Sequence, residues 1–180
     1  MLAAGFGRRF GGDKRLAELR DGVSLLQASV GRALQSGLPV VVCLRPGDAQ
    51  LAAQVQALGA SVCFCPSAEQ GMGATLAEGM QSIGGWDAVL VALGDMPDVQ
   101  PQTFAAIAAA LPGAVACRPV CGDTPGHPVG FAAALFPALR QLRGDRGARE
   151  ILSELGEAVL PVAVDDTGIL RDIDTPADLR

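Results

Sequence analysis

With 180 residues, 49 % of them hydrophobic and 18 % charged, the chain can bury a substantial core and reads as one domain spanning residues 1–180. A formal net charge of −5 points away from nucleic acid as a partner. The longest apolar stretch, residues 104–117, is broken by Pro112 and Gly113; a membrane span needs about 20 apolar residues. No basic segment precedes an apolar one at the N-terminus, so a cytoplasmic location is expected.

The chain opens on MLAAGFGRRFGGDK, a glycine-rich turn with only residues 1–4 ahead of it to form a strand. Arg8, Arg9, Lys14, Arg15 and Arg20 cluster here against only Asp13 and Glu18, and Lys14 is the sole lysine. A positive cluster on an acidic chain suits a confined anionic ligand; a solvated charged loop is the other reading. Two common nucleotide loops fail. The dinucleotide fingerprint needs glycine where Phe10 stands, and the P-loop needs Ser or Thr after its lysine, where Arg15 follows Lys14. What remains is a loop whose amides and cations could wrap a triphosphate.

Further along, apolar runs alternate with helical patterns. Residues 38–44 read as a strand, 48–58 as a helix and 59–65 as a strand. Residues 87–93, an unbroken apolar run, are the clearest strand, as expected when helices cover both faces of a parallel sheet. A helix over 102–111 follows, with Pro101 in its first turn. A strand over 114–118, helices over 132–142 and 146–155, and a strand over 159–164 complete the pattern. The alternation predicts a three-layer α/β/α sandwich with a mostly parallel sheet, whose ligands gather at the carboxyl ends of the strands.

Cys43, Cys63, Cys65, Cys117 and Cys121 have poor zinc spacings and read as buried, reduced thiols. Two acidic motifs are more pointed. LGDMP, residues 93–97, ends the clearest strand, so Asp95 is either a turn residue or a ligand for Mg²⁺, which prefers few carboxylates plus phosphate oxygens and water. DIDTPAD, residues 172–178, is either a capped last helix, through Asp174 or Thr175 with Pro176 in its first turn, or a second carboxylate source.

Six ordered motifs make the chain resemble the molybdopterin nucleotidyltransferases. LAAGFGRRFG with Lys14 behind it, GMGATL at 71–76 and LGDMP carry the first part of the likeness. GHPVGF at 126–131, GDRGAR at 144–149 and DIDTP at 172–176 carry the rest, the first two looking most like the cytidylyl branch. The resemblance implies a Rossmann-like nucleotidyltransferase of GT-A type with a mostly parallel mixed sheet. It implies nucleotide contacts from Leu2, Ala3, Ala4, Gly5, Gly7, Arg9, Lys14, Gly71, Gly73, Thr75 and Asp95. Catalysis would fall to Lys14, Arg9 and Asp95, with Mg²⁺ on Asp95 and Asp174, and His127 and Arg149 would meet the acceptor. The substrates implied are CTP, with GTP as the alternative, and a molybdopterin-type acceptor, with a molybdoenzyme as client. The other readings are the same fold acting on a sugar or polyol phosphate, and a non-catalytic nucleotide-binding maturation factor for a molybdoenzyme. The chain departs from the family twice. The family normally has several more residues before the LAAG stretch, so the central strand is short here or the chain starts further upstream. Gly73 also stands where the family often has serine, a change expected to open space beside the base.

Overall fold

The computed structural model describes residues 1–7, 10–19 and 22–179. Helix α1 (Leu25–Gln35) is launched by a capping box in which the Ser24 hydroxyl accepts from the Gln27 amide and the Gln27 side chain accepts from the Ser24 amide. Strand β1 (Val41–Leu44) follows, then helix α2 (Ala49–Ala57) and strand β2 (Ser61–Phe64). Helix α3 (Met72–Ser82), strand β3 (Ala88–Val91) and helix α4 (Pro101–Ala110) come next. Strands β4 (Ala116–Cys121), β5 (Thr124–Pro125) and β6 (Val129–Ala132) precede two short helices, α5 (Phe136–Arg140) and α6 (Arg149–Leu155). Strand β7 (Val159–Ala163) is the last.

The sheet is mixed. β1 pairs in parallel with β2, while β6 lies antiparallel between β3 and β4. β4 pairs in parallel with β7 and antiparallel with the short β5. Leu2 joins the two parts through single parallel bridges to Cys43 and Leu93. Its amide donates to Ala92 O at 2.8 Å, and the Gly94 amide donates to Leu2 O at 2.9 Å. Among the described residues, five strands therefore run one way, and β5 and β6 run the other.

Side-chain alternation assigns the faces. Val42 and Leu44 of β1 pack with Leu26 and Val30 of α1 and with Leu51 and Val55 of α2. On the opposite face, Val89 and Val91 of β3 and Val129 and Phe131 of β6 meet Leu76 and Met80 of α3 and Phe136 and Leu139 of α5. Phe104 of α4 packs with Ala33 of α1 and Ile169 of the last segment, completing the first helical layer. No helix among the described residues is long and apolar enough to cross a membrane. The five cysteines are free thiols; Cys43, Cys65 and Cys117 are buried, but Cys63 and Cys121 are only half-buried. Cys63 and Cys65 share one face of the chain, their sulfurs 4.0 Å apart.

Three expectations need correction. Residues 132–142 do not form one helix: Ala132 ends β6, and Pro137 belongs to the first turn of α5, where its missing amide costs nothing. The next helix begins at Arg149 rather than Arg146, because Gly144 and Gly147 both take positive φ, 65° and 57°, which delays the helical turn. The last helix is a single 3₁₀ turn, Pro176–Leu179. Asp178 fastens it, accepting from the Thr175 amide at 2.7 Å and the Thr175 hydroxyl at 2.8 Å. These bonds hold the Asp178 carboxyl below its ordinary pKa. The Asp174 carboxylate is thereby left to face elsewhere.

Candidate active site

The opening loop leaves Leu2 at the carboxyl end of the central strands and is tied down by one buried residue. Arg15 is 4 % exposed. Its guanidinium donates to Ala3 O at 2.8 Å and grips two carboxylates, Asp13 at 2.6 and 2.8 Å and Asp48 at 2.5 and 2.9 Å. Arg45 joins the same pair, reaching Asp13 at 3.0 Å, and its guanidinium lies 4.9 Å from the Phe6 ring centroid. Asp48 stands at the N-cap of α2 but makes no capping bond, because its carboxylate is occupied by these arginines. Among the cations of the opening loop, Arg15 is thus structural. Arg8, Arg9 and Arg20 lie outside the described residues, so the expected phosphate role of Arg9 has no geometry here.

Anchoring of the loop positions Lys14. Its ammonium donates to Asp95 Oδ2 at 2.7 Å, to Ile173 O at 3.0 Å and to Asp174 Oδ1 at 3.1 Å. Residues 81 and 160 positions away along the chain thus converge on one nitrogen. The Ile173 amide donates to Asp95 O at 2.9 Å, which sets Asp174 beside Asp95. Burial disfavours the ammonium, but the hydrogen bonds and charges of Asp95 and Asp174 outweigh it, and the Lys14 pKa lies above its ordinary value. Gly94 lets the strand end approach the loop, since a Cβ there would stand 2.9 Å from Ala3 Cβ.

A cleft of about 610 Å³ opens beside this group. Leu2, Ala3, Ala4, Gly5, Gly7 and Lys14 line one side. Gly71, Thr75, Asp95 and Asp174 line others, so nearly all the expected nucleotide residues meet in one place. Met72 of the GMGATL motif lines it as well, and so do Phe6, Glu69, Gln70 and Asp145, which were not singled out from the sequence. Asp145 was hidden because the loop that carries it is remote in sequence: its carboxylate accepts from the Met72 amide at 3.4 Å.

Gly73 is an exception. It is absent from the lining, and its amide donates to Gly144 O at 2.8 Å. A Cβ there would stand 2.9 Å from both Arg143 O and Gly144 O, so glycine in place of serine closes α3 onto a loop and opens no space beside a base. Gly71 has φ +118°, and a Cβ on it would stand 2.6 Å from Asp145 Cα. Gly71→Ala is therefore expected to destabilise the fold by about 1–3 kcal/mol. Urea denaturation of both proteins checks this, and an unchanged midpoint with an unchanged slope would remove the strain argument.

The two expected acceptor residues lie apart from the cleft lining. His127 is partly buried. Its amide donates to Ile169 O at 3.2 Å and its ring bonds the Val91 carbonyl, while Nδ1 is buried without a partner. Burial pushes its pKa below the ordinary value, against the opposing pull of the Val91 carbonyl, Asp95 and Asp172. Gly126 makes this enclosure possible, since a Cβ there would stand 2.2 Å from Ile169 O. Arg149 is exposed at the start of α6, and the neighbouring Arg146 is paired with Glu150.

The profile of the MobA-like NTP transferase domain matches residues 1–159. The chain belongs to that family. It is 31 % identical to the purine catabolism protein PucB of Bacillus subtilis over 193 residues, 98 % of this chain and 91 % of the relative. The solved structure of Rv0371c from Mycobacterium tuberculosis superposes with a TM-score of 0.86 at 29 % identity, covering 98 % of this chain and 91 % of that one. A manganese complex of Rv0371c gives 0.79 at 25 % identity, over 99 % and 89 %. The MobA-like chain is accordingly a nucleotidyltransferase with the Rossmann-like fold of its neighbours.

Proposed function

We propose that residues 1–180 act as one domain that transfers the cytidylyl group of CTP to the phosphate of a molybdopterin-type acceptor, releasing pyrophosphate. The observation that carries this reading is the convergence of Asp95 and Asp174 on a single cation at the mouth of the glycine-lined cleft. A pair of carboxylates that already holds an ammonium is a cation site. No group of three or more His, Cys, Asp or Glu side chains among the described residues could hold a metal alone. Two carboxylates completed by phosphate oxygens and water suit Mg²⁺, so the residues present fit that ion. When bound, Mg²⁺ would neutralise charge at the phosphates undergoing transfer.

The chain's own residues supply the rest. The amides of Gly5 and Gly7 receive the phosphates, and Gly7, at φ +55°, turns the loop back beneath them. The acceptor oxygen is already anionic, so attack on the α-phosphorus needs orientation and charge neutralisation rather than a strong base. His127 supports the acceptor side, and Arg149 offers a charge to the acceptor phosphate.

Choice of base rests on Ala4. Its buried methyl lines the cleft, where the guanylyl branch tends to carry glycine, and it takes room from a purine. CTP is expected to exceed GTP in kcat/KM by about 10- to 200-fold, the discrimination available from crowding alone. Measuring both nucleotides with one molybdopterin preparation, by pyrophosphate release, tests it. Equal or higher efficiency with GTP would sink the cytidylyl assignment.

A further inference from the structure

A lysine ammonium has three hydrogen-bond donors. Those of Lys14 are all taken, by Asp95, Asp174 and the Ile173 carbonyl, and the side chain is only 14 % exposed. Lys14 as it stands has no donor left for a phosphate, and its charge sits where a divalent ion on the two carboxylates would sit. We propose that Lys14 is a tethered counter-cation: in the nucleotide-free enzyme it closes the carboxylate pair to free divalent metal, and nucleotide phosphates draw it off. Metal then binds well only together with nucleotide. This rests on the reading above that Asp95 and Asp174 form the metal pair.

The geometry supports an exchange of partners. The backbone of Lys14 is fixed by its neighbours, since the Asp13 carboxylate accepts from the Arg15 amide at 3.2 Å and Arg15 is clamped to Asp48. Only the four-carbon side chain must move, and it swings beside Gly7, whose absent Cβ would stand 3.4 Å from Lys14 Cγ. The phosphate-binding loop and the ammonium are therefore adjacent, so anionic phosphate on Gly5 and Gly7 competes directly with the carboxylates for the same charge. The ammonium also relieves repulsion between the two carboxylates while no metal is present. If the pair is open to metal in fewer than about one molecule in ten, apparent metal affinity falls by at least that factor.

The test is Mn²⁺ binding to the full nucleotide-free chain, read from the EPR signal of free Mn²⁺. Lys14→Met is expected to bind Mn²⁺ at least about tenfold more tightly than the wild type. Adding Asp174→Asn to that variant should return binding to the wild-type level. Circular dichroism establishes that the variants fold. A gain that survives Asp174→Asn, or no gain in a folded Lys14→Met, overturns the proposal. Should Lys14→Met not fold, the wild type decides alone. Mn²⁺ binding as tight without nucleotide as with a non-hydrolysable CTP analogue overturns the proposal, whereas binding at least about tenfold tighter with the analogue supports it. Turnover of CTP is read separately. Its absence removes the cytidylyl reading and leaves the Mn²⁺ result to stand on its own.

Discussion

Asp95→Asn is expected to abolish nucleotidyl transfer while leaving the fold intact. The change keeps the shape of the side chain at the end of the central strand and removes one charge from the pair that converges on Lys14. The Asp95 carbonyl still accepts from the Ile173 amide, so the last segment stays docked. What is lost is charge stabilisation at the transferring phosphates, a term worth several kcal/mol, or a factor of about 10³ in rate. Lys14 in the variant keeps Asp174 and Ile173 O as partners and remains ordered. Pyrophosphate release at saturating Mg²⁺, with circular dichroism as the folding control, gives the answer. A folded variant with near wild-type rate would show that this carboxylate holds no metal.

The largest effect on stability is expected at Arg15. Replacing it with methionine keeps the volume but strips two carboxylates and the Ala3 carbonyl of their buried donor. Breaking a buried ion pair from one side costs about 3–5 kcal/mol. Asp13 is 31 % exposed and Asp48 13 %, and Arg45 still reaches both, so the lower end applies. A loss of about 3 kcal/mol corresponds to roughly 10 °C in melting temperature for a chain of this size. Calorimetry of the two proteins measures it. A shift below about 2 °C would mean that Arg45 alone satisfies both carboxylates.

Much of the architecture was legible because β1 and β3 announce themselves as unbroken apolar runs, and α2 and α4 by their helical pattern with aspartate or proline at the start. Helix α1 was legible in principle, since Ser24 and Gln27 form the spaced signature of a capping box, but its apolar pattern is interrupted by Gly31. Helix α3 was hidden by composition. Gly73 and Gly79 are poor helix formers, and only the fold shows what they do: a Cβ on Gly79 would stand 2.6 Å from the Cys43 sulfur. Strand β6 was read as a sequence motif with no structure assigned, because an antiparallel strand inserted between two parallel ones leaves no periodic trace that separates it from its neighbours.

The site itself was legible only as chemistry. Lys14, Asp95 and Asp174 could be named, but their mutual contact could not, because spacing along the chain says nothing about which charges neutralise one another. The same holds for Arg15, which in sequence is one more cation of the loop and in space is its anchor. Gly73 shows the reverse: a plausible expectation of added space fails against the two carbonyls that pack on it.

The three residues of the central ion cluster stand at positions 14, 95 and 174, the second 81 and the third 160 residues after the first. During synthesis the first two emerge long before the third, and domains build from the N-terminal side as they appear. A nascent chain therefore carries the loop and the first carboxylate without the second, and it cannot hold its ammonium in the three-way arrangement until Asp174 has emerged. The complete arrangement arrives only with the segment that carries Ile173 and Asp174.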